Sequence, residues 1–276
     1  MLSGVLLIPL IVFLAWWEFS AVLLVIVATS LAIHELYGVL AQGGITARRL
    51  LGITTGVLIC LAAALESLIP FDLFGAVICL TIVLSLGYEL IPRDRTTSLT
   101  SWAFTYAGAV YIGVLMATLI RLRLVDTPLE GGWLAFAAIP PGMAWIIFTL
   151  AITWCQDSAA YFVGRSFGRT RMAPVLSPKK SWEGAAGGLI ASALTAMLCV
   201  PLLGLPISLG FAALIGALAG VVGPIGDLAE SLIKRQIGIK DSGSLIPGHG
   251  GMLDRIDSLI FIAPLVYYMV LLTLFF

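Results

Sequence analysis

Three acidic residues, Asp157, Asp227 and Glu230, stand inside long apolar stretches of this chain. A carboxylate at membrane depth is costly unless it is paired or reached by water, so each marks polar chemistry or a buried ion pair. Asp227, Glu230, Ser231 and Lys234 follow one another at i, i+3, i+4 and i+7, which places them on one stripe of a helix. Taken alone, that stripe reads either as half of a site or as a satisfied pair of Glu230 with Lys234. Gly223, Pro224 and Gly226 precede it and can break or loosen the helix, which membranes tolerate where backbone lines a polar cavity.

The segment that follows, 240–257, carries Lys240, Asp241, His249, Gly250, Gly251, Asp254, Arg255 and Asp257. Glycines here allow backbone N–H groups to approach a phosphate closely. Asp254 and Asp257, at i and i+3, share a face at the start of a last helix. Asp227 and Asp254, from different helices, can supply oxygen ligands to a hard cation. Magnesium usually takes one or two protein carboxylates and leaves the rest to water and substrate phosphate. Lys234, Lys240 and Arg255 can neutralise further phosphate charge. His249 either bonds phosphate or fixes the loop, and it is not expected to ligate metal. A second basic loop holds Arg165, Arg169 and Arg171, which topology and lipid headgroups can explain, and then Lys179, Lys180 and Ser181. Ser177-Pro178 before the two lysines and Ser181-Trp182-Glu183-Gly184 after them predict a shaped turn that presents the lysines to phosphate. No Walker A pattern is present in the sequence.

Elements that could position these residues must be membrane helices. The chain has 276 residues, 60% hydrophobic and 11% charged, against about a quarter charged in soluble domains. Apolar runs without period-two alternation predict an all-α polytopic transmembrane helix bundle of about nine spans: 2–17, 19–41, 50–69, 73–91, 101–121, 142–164, 186–204, 207–233 and 257–276. The first lacks a basic leader and a small-residue cleavage site, so it is read as a retained helix. With this segmentation 13 of the 15 basic residues fall on one side, and only Arg121 and Arg123 on the other. The basic side is cytoplasmic, and the N-terminus with it. The four cysteines lie far apart in apolar segments and suggest no disulfide framework or zinc site. Formal net charge is zero, so bulk charge points to no partner and no nucleic acid is expected. No repeat divides the chain. It is read as a single membrane domain, residues 1–125 supplying N-terminal helices and 133–276 the half that carries the polar motifs.

At these residues the chain resembles the phosphatidate cytidylyltransferases, also called CDP-diacylglycerol synthases. The family pattern S-x-x-K-R, four residues, K-D, a small-residue loop, H-G-G and D-R-x-D is matched by Ser231, Lys234-Arg235, Lys240-Asp241, His249-Gly250-Gly251 and Asp254-Arg255-Ile256-Asp257, over 27 positions. Trp154 to Asp157 with Ser158, Tyr161, Gly164 and Arg165, and the stretch from Ser177 to Gly184, extend the likeness over 150–276. The N-terminal half is similar only in being hydrophobic and helical, apart from Glu35, which falls where such enzymes carry an acidic residue in an early helix.

The resemblance implies attack of the phosphatidate phosphate on the α-phosphorus of CTP with loss of pyrophosphate. Such a reaction needs charge neutralisation and in-line positioning rather than a protein nucleophile. On this reading Asp227 and Asp254 bind Mg2+, with room for a second cation. Lys240, Arg255 and His249 face the triphosphate, joined by Lys234, Arg235, Gly250 and Gly251. Asp157, Asp241 and Asp257 stand beside the metal, and Lys179, Lys180 and Ser181 hold a phosphate of CTP or lipid. The expected setting is a bacterial plasma (inner) membrane with the site on the cytoplasmic side, and a homodimer is compatible with the family. Two other classes stay open: a secondary transporter with intramembrane acids, and a related cytidylyltransferase or lipid kinase acting on another isoprenoid or polyprenyl lipid.

Overall fold

A computed structural model describes residues 15–91, 97–239, 242–243 and 251–273. Eight helices appear in order: α1 Glu18–Gln42, α2 Arg49–Leu65, α3 Leu73–Tyr88, α4 Ser98–Arg123, α5 Pro141–Phe167, α6 Trp182–Leu203, α7 Leu209–Ile237 and α8 Leu253–Thr273. Seven are long and apolar enough to cross a membrane, α2 being counted with the 3-10 turn Glu66–Leu68 that continues it, while α3, at 16 residues, is shorter. The architecture is that of an all-α membrane protein. The expected span 2–17 lies almost wholly outside the described residues.

Local chemistry sets the helix ends. α1 and α7 stop at Gly44 and Gly238, both in the left-handed region, with φ of +76° and +81°. Each end closes a Schellman pair: Ile45 N to Leu40 O and Gly44 N to Ala41 O at one, Ile239 N to Lys234 O and Gly238 N to Arg235 O at the other. Asp72 caps α3 by accepting from Gly75 N at 2.8 Å, and Ser181 caps α6 by accepting from Gly184 N at 3.2 Å. The Ser181 cap explains why α6 begins four residues earlier than apolarity predicts. A helix starts at its cap, and its first turn is polar.

One part is not helical. Arg171–Ala173 (β1) and Ser177–Ser181 (β2) pair antiparallel, Arg171 opposite Ser181 and Ala173 opposite Ser177. The turn expected around Lys179 and Lys180 is this hairpin, closed by Trp182 N donating to Thr170 O at 3.0 Å.

The chain forms two compact units. The first takes 122–232 and 257–273 with residues 15–18, and the second 19–121 and 233–256. In the first, α5 and α6 meet through small residues four apart. A Cβ on Gly184 would lie 2.7 Å from Ala160 O and 3.1 Å from Gly164 Cα; one on Gly188 would lie 3.1 Å from Gln156 O. Close backbone approach of this kind is how membrane helices gain packing without a hydrophobic drive between them. α7 uses Gly220 against Leu189, Gly223 against the Gln156 amide, and Gly226 against Asp257 O and Phe261. These glycines therefore admit neighbouring helices. They do not break α7, which runs through Pro224 without interruption. Arg123, buried, donates to the carbonyls of Ala15 and Trp16 at 3.0 and 2.6 Å.

In the second unit the core lies around Tyr37, whose hydroxyl donates to Thr105 O and whose ring occupies the space above Gly52 and Gly108. Arg48 grips buried Glu89 through two bonds of 2.9 and 3.1 Å. Arg121 pairs with Glu66 at 2.6 Å and lies 3.9 Å above the Phe74 ring.

Gly184→Val is expected to lower the thermal midpoint of the detergent-purified protein by several degrees or abolish its monodisperse peak. Gly210→Ala, where a Cβ meets nothing within 4 Å, should leave both unchanged. Equal behaviour of the two variants in a melt followed by size exclusion would refute the α5–α6 contact.

Candidate functional site

The first unit gathers Asp157, Lys180, Asp227 and Asp257. β2 carries Lys180, and strand alternation separates it from its neighbour: Lys179 is exposed, whereas Lys180 is partly buried. The Lys180 ammonium lies 2.6 Å from Asp227 Oδ2 and 3.4 Å from Pro224 O. Asp227, on α7, also accepts from Ser231 Oγ at 3.4 Å. Ser258 on α8 donates through its hydroxyl to Asp157 Oδ1 at 3.5 Å, and its backbone N–H lies 2.7 Å from Asp257 Oδ1. Three carboxyl groups and one ammonium are thus brought together in the first unit, and their oxygens suit a hard cation. Ser181, the residue after Lys180, is buried as the cap of α6 and fixes where the strand hands over to the helix.

The second unit gathers Lys234, Asp254, Ser242, Gly251 and Glu35. Lys234 Nζ donates to Asp254 Oδ1 at 2.6 Å, and both side chains are largely buried. Asp254 Oδ2 accepts from Ser242 Oγ at 2.9 Å, Gly251 N at 3.0 Å and Ser242 N at 3.2 Å. The bond back to Gly251 N caps the start of α8 with a carboxylate, where the helix dipole favours negative charge. Glu35, on α1 and buried, accepts from Leu253 N at 2.8 Å. Arg255 is exposed on the first turn of α8, and Arg235 is exposed and donates to Ile239 O at 2.9 Å beside the end of α7.

The residues singled out from sequence therefore fall in three sets. Asp157, Lys180, Ser181, Asp227 and Asp257 belong to the first unit, with Lys179 on the opposite strand face. Lys234, Arg235, Gly251, Asp254 and Arg255 belong to the second. Lys240, Asp241, His249 and Gly250 lie outside the described residues. Sequence reasoning missed Ser242 and Ser258, whose hydroxyls have no signature of their own. It also missed the contacts of Glu35, although an acid alone in an apolar helix is the same signal that marked Asp157.

Among the described residues no three Asp, Glu, His or Cys side chains converge to enclose a metal ion by themselves. The carboxyl and hydroxyl oxygens described at each cluster fit a magnesium ion held by one or two carboxylates and completed by water and phosphate.

The sequence profile of the cytidylyltransferase family matches residues 1–273. A Synechocystis sp. protein named phosphatidate cytidylyltransferase is 35% identical over 95% of this chain and 91% of its own length. Proteins of the same name from Bacillus subtilis and Brucella suis are 35% and 39% identical, over 68% and 67% of this chain and 65% and 64% of theirs.

Removing one member of a buried ion pair strands the other, at about 3–5 kcal/mol. Lys234→Met is accordingly expected to destabilise the protein strongly against denaturant in detergent, and adding Asp254→Leu to recover much of the loss. Additive losses in that double-mutant cycle would show that the two side chains do not interact.

Proposed function

The chain belongs to the cytidylyltransferase family, and from that premise we propose that it makes CDP-diacylglycerol from phosphatidate and CTP. It is a nucleotidyltransferase of phospholipid synthesis. A phosphate oxygen of phosphatidate attacks the α-phosphorus of CTP and forms the new P–O bond. The bond from that phosphorus to the α,β-bridging oxygen breaks, and its electron pair leaves with pyrophosphate. The nucleophile is already an anion, so no serine, cysteine or histidine has to supply one.

The observation that carries the reading is the pair of lysine–carboxylate contacts, Lys180 with Asp227 and Lys234 with Asp254, each at 2.6 Å. Such pairs can exchange partners: a lysine moves to a phosphate oxygen as its carboxylate turns to a cation. Lys180 is therefore assigned to a phosphate of CTP or lipid, and Lys234 to the polyphosphate together with Lys240, Arg255 and His249. Asp227 and Asp254 are the carboxylates assigned to magnesium, a hard cation that takes carboxylate oxygens and fills its remaining positions with water and phosphate. A bound magnesium ion offsets triphosphate charge and polarises the phosphoryl oxygens. Asp157 and Asp257 are assigned beside the metal, and Ser258 holds both in place.

In the membrane we assign nine spans, with the N-terminus and the polar clusters on the cytoplasmic side of a bacterial inner membrane. The distribution of basic residues supports this; seven long apolar helices and α3 account for eight of the nine, and the span 2–17 lies almost wholly outside the described residues. CTP then arrives from water and the lipid from the bilayer.

Purified protein given phosphatidate, CTP and magnesium is expected to form CDP-diacylglycerol and pyrophosphate in equal amounts, and EDTA to stop it. Asp254→Asn should lower turnover per folded molecule by at least about 100-fold, the scale of a lost charge-stabilising group, beyond the stability it loses with the Lys234 pair. Lys180→Gln should do the same, whereas Lys179→Gln should cost less than about 10-fold. A well-folded protein that releases pyrophosphate only with another lipid phosphate would keep the chemistry and change the substrate. One that releases none would overturn the reading.

A further inference from the structure

We infer that Glu35 is a positioning residue for Asp254, acting as a cap that α1 supplies to α8 across the second unit. The inference rests on the reaction proposed above and adds to it a role for the N-terminal half of the chain.

Three pieces of backbone converge on this one carboxylate. Leu253 N, the first N–H of α8, lies 2.8 Å from Glu35 Oε2. A Cβ on Gly251 would lie 2.5 Å from the same oxygen, and one on Gly243 would lie 3.1 Å from Oε1. Ser242 Oγ stands 3.5 Å from Glu35 Oε2 and 2.9 Å from Asp254 Oδ2. Ser242 is thus the intermediary: its hydroxyl proton goes to the nearer acceptor, Asp254, while the Glu35 carboxylate borders its other side.

The first four N–H groups of a helix have no partner within it, and a carboxylate there gains both a hydrogen bond and the helix dipole. Asp254 takes Gly251 N for itself, and Glu35 takes Leu253 N. Between them they fix the entry of the chain into α8 and so the rotation of Asp254 about the helix axis. Gly251 accordingly has a reason to be glycine that requires no ligand: a side chain there would collide with the Glu35 carboxylate.

Glu35 is 4% exposed, and its Oε1 has no hydrogen-bond partner among the described residues. A buried, half-satisfied carboxylate is expensive to keep. Its satisfied oxygen, Oε2, is the one that meets Leu253 N and borders the Ser242 hydroxyl, the two groups on either side of Asp254.

The test uses the full-length protein in detergent, with hydrogen exchange at amides 251–256 measured beside steady-state kinetics. For Glu35→Ala, exchange at Leu253 is expected to speed up at least about 10-fold. Turnover per folded molecule should fall about 10- to 100-fold, the range for supporting contacts around a ligand set, while KM for CTP moves less than about threefold. Glu35→Gln, which still accepts from Leu253 N, should restore both the protection and most of kcat. Glu35→Asp keeps the charge but shortens the reach by one methylene. It should lower kcat about 10-fold with an unchanged thermal midpoint, and so it decides the matter if the alanine variant does not fold. Wild-type exchange at Leu253 in Glu35→Ala, or an unchanged kcat in Glu35→Asp, would overturn the inference. If wild-type protein makes no CDP-diacylglycerol, the proposed reaction fails, while exchange still shows whether Glu35 holds the start of α8.

Discussion

A carboxylate in an apolar helix must be answered from within the protein, and most of the polar structure of this chain follows from that requirement. Water cannot be counted on at depth, so the partners are lysine ammoniums, serine hydroxyls and the free N–H groups of helix ends. Asp227 has Lys180 and Ser231. Asp254 has Lys234, Ser242 and Gly251 N, and Glu35 has Leu253 N. Apart from Ser231, one turn along α7 from Asp227, the answering groups come from another segment of the chain or from the start of the same helix. The polar network thereby fixes where strands end and helices begin.

Backbone proximity is the second constraint, and it serves the first. Side chains as short as aspartate and serine reach one another only when the helices carrying them approach closely. In the first unit Gly184 and Gly188 on α6 meet Ala160 and Gly164 on α5, while Gly223 and Gly226 on α7 admit Gln156 and the backbone at Asp257. The hairpin then sets Lys180 against Asp227 by strand alternation, which leaves Lys179 outward. In the second unit the same logic governs Gly251, which must be small so that a carboxylate from α1 can reach the first turn of α8.

Much of this was legible in the sequence, and the remainder shares a physical cause. Apolar runs located the long helices to within a few residues because helix length is set by the bilayer. Boundaries slipped where caps decide them: Ser181 starts α6 and Gly238 ends α7, and both are polar or glycine positions that a hydropathy reading assigns to loops. Gly223 and Gly226 looked like helix breakers, because sequence does not say whether a glycine bends its own helix or receives a neighbour. The stripe Asp227–Lys234 was evident from its spacing, but its partners were not. Lys180 and Asp254 stand 47 and 20 positions from Asp227 and Lys234, and no local rule links them. Ser242 and Ser258 were invisible because a hydroxyl becomes informative only when its acceptor is known. The family likeness, by contrast, needed no structure, since it is carried by ordered spacing over a short segment.

We propose that Lys180 and Lys234, which hold Asp227 and Asp254 at 2.6 Å, hand these carboxylates to a cation and turn to phosphate when substrate arrives. Infrared difference spectroscopy of the purified protein, with and without magnesium and CTP, tests this most directly, each carboxyl band being assigned by its loss in Asp227→Asn or Asp254→Asn. The expected result is a band for each residue that shifts in the manner of metal coordination when magnesium and CTP are added. Bands of Asp227 and Asp254 that magnesium and CTP leave unchanged would contradict the proposal.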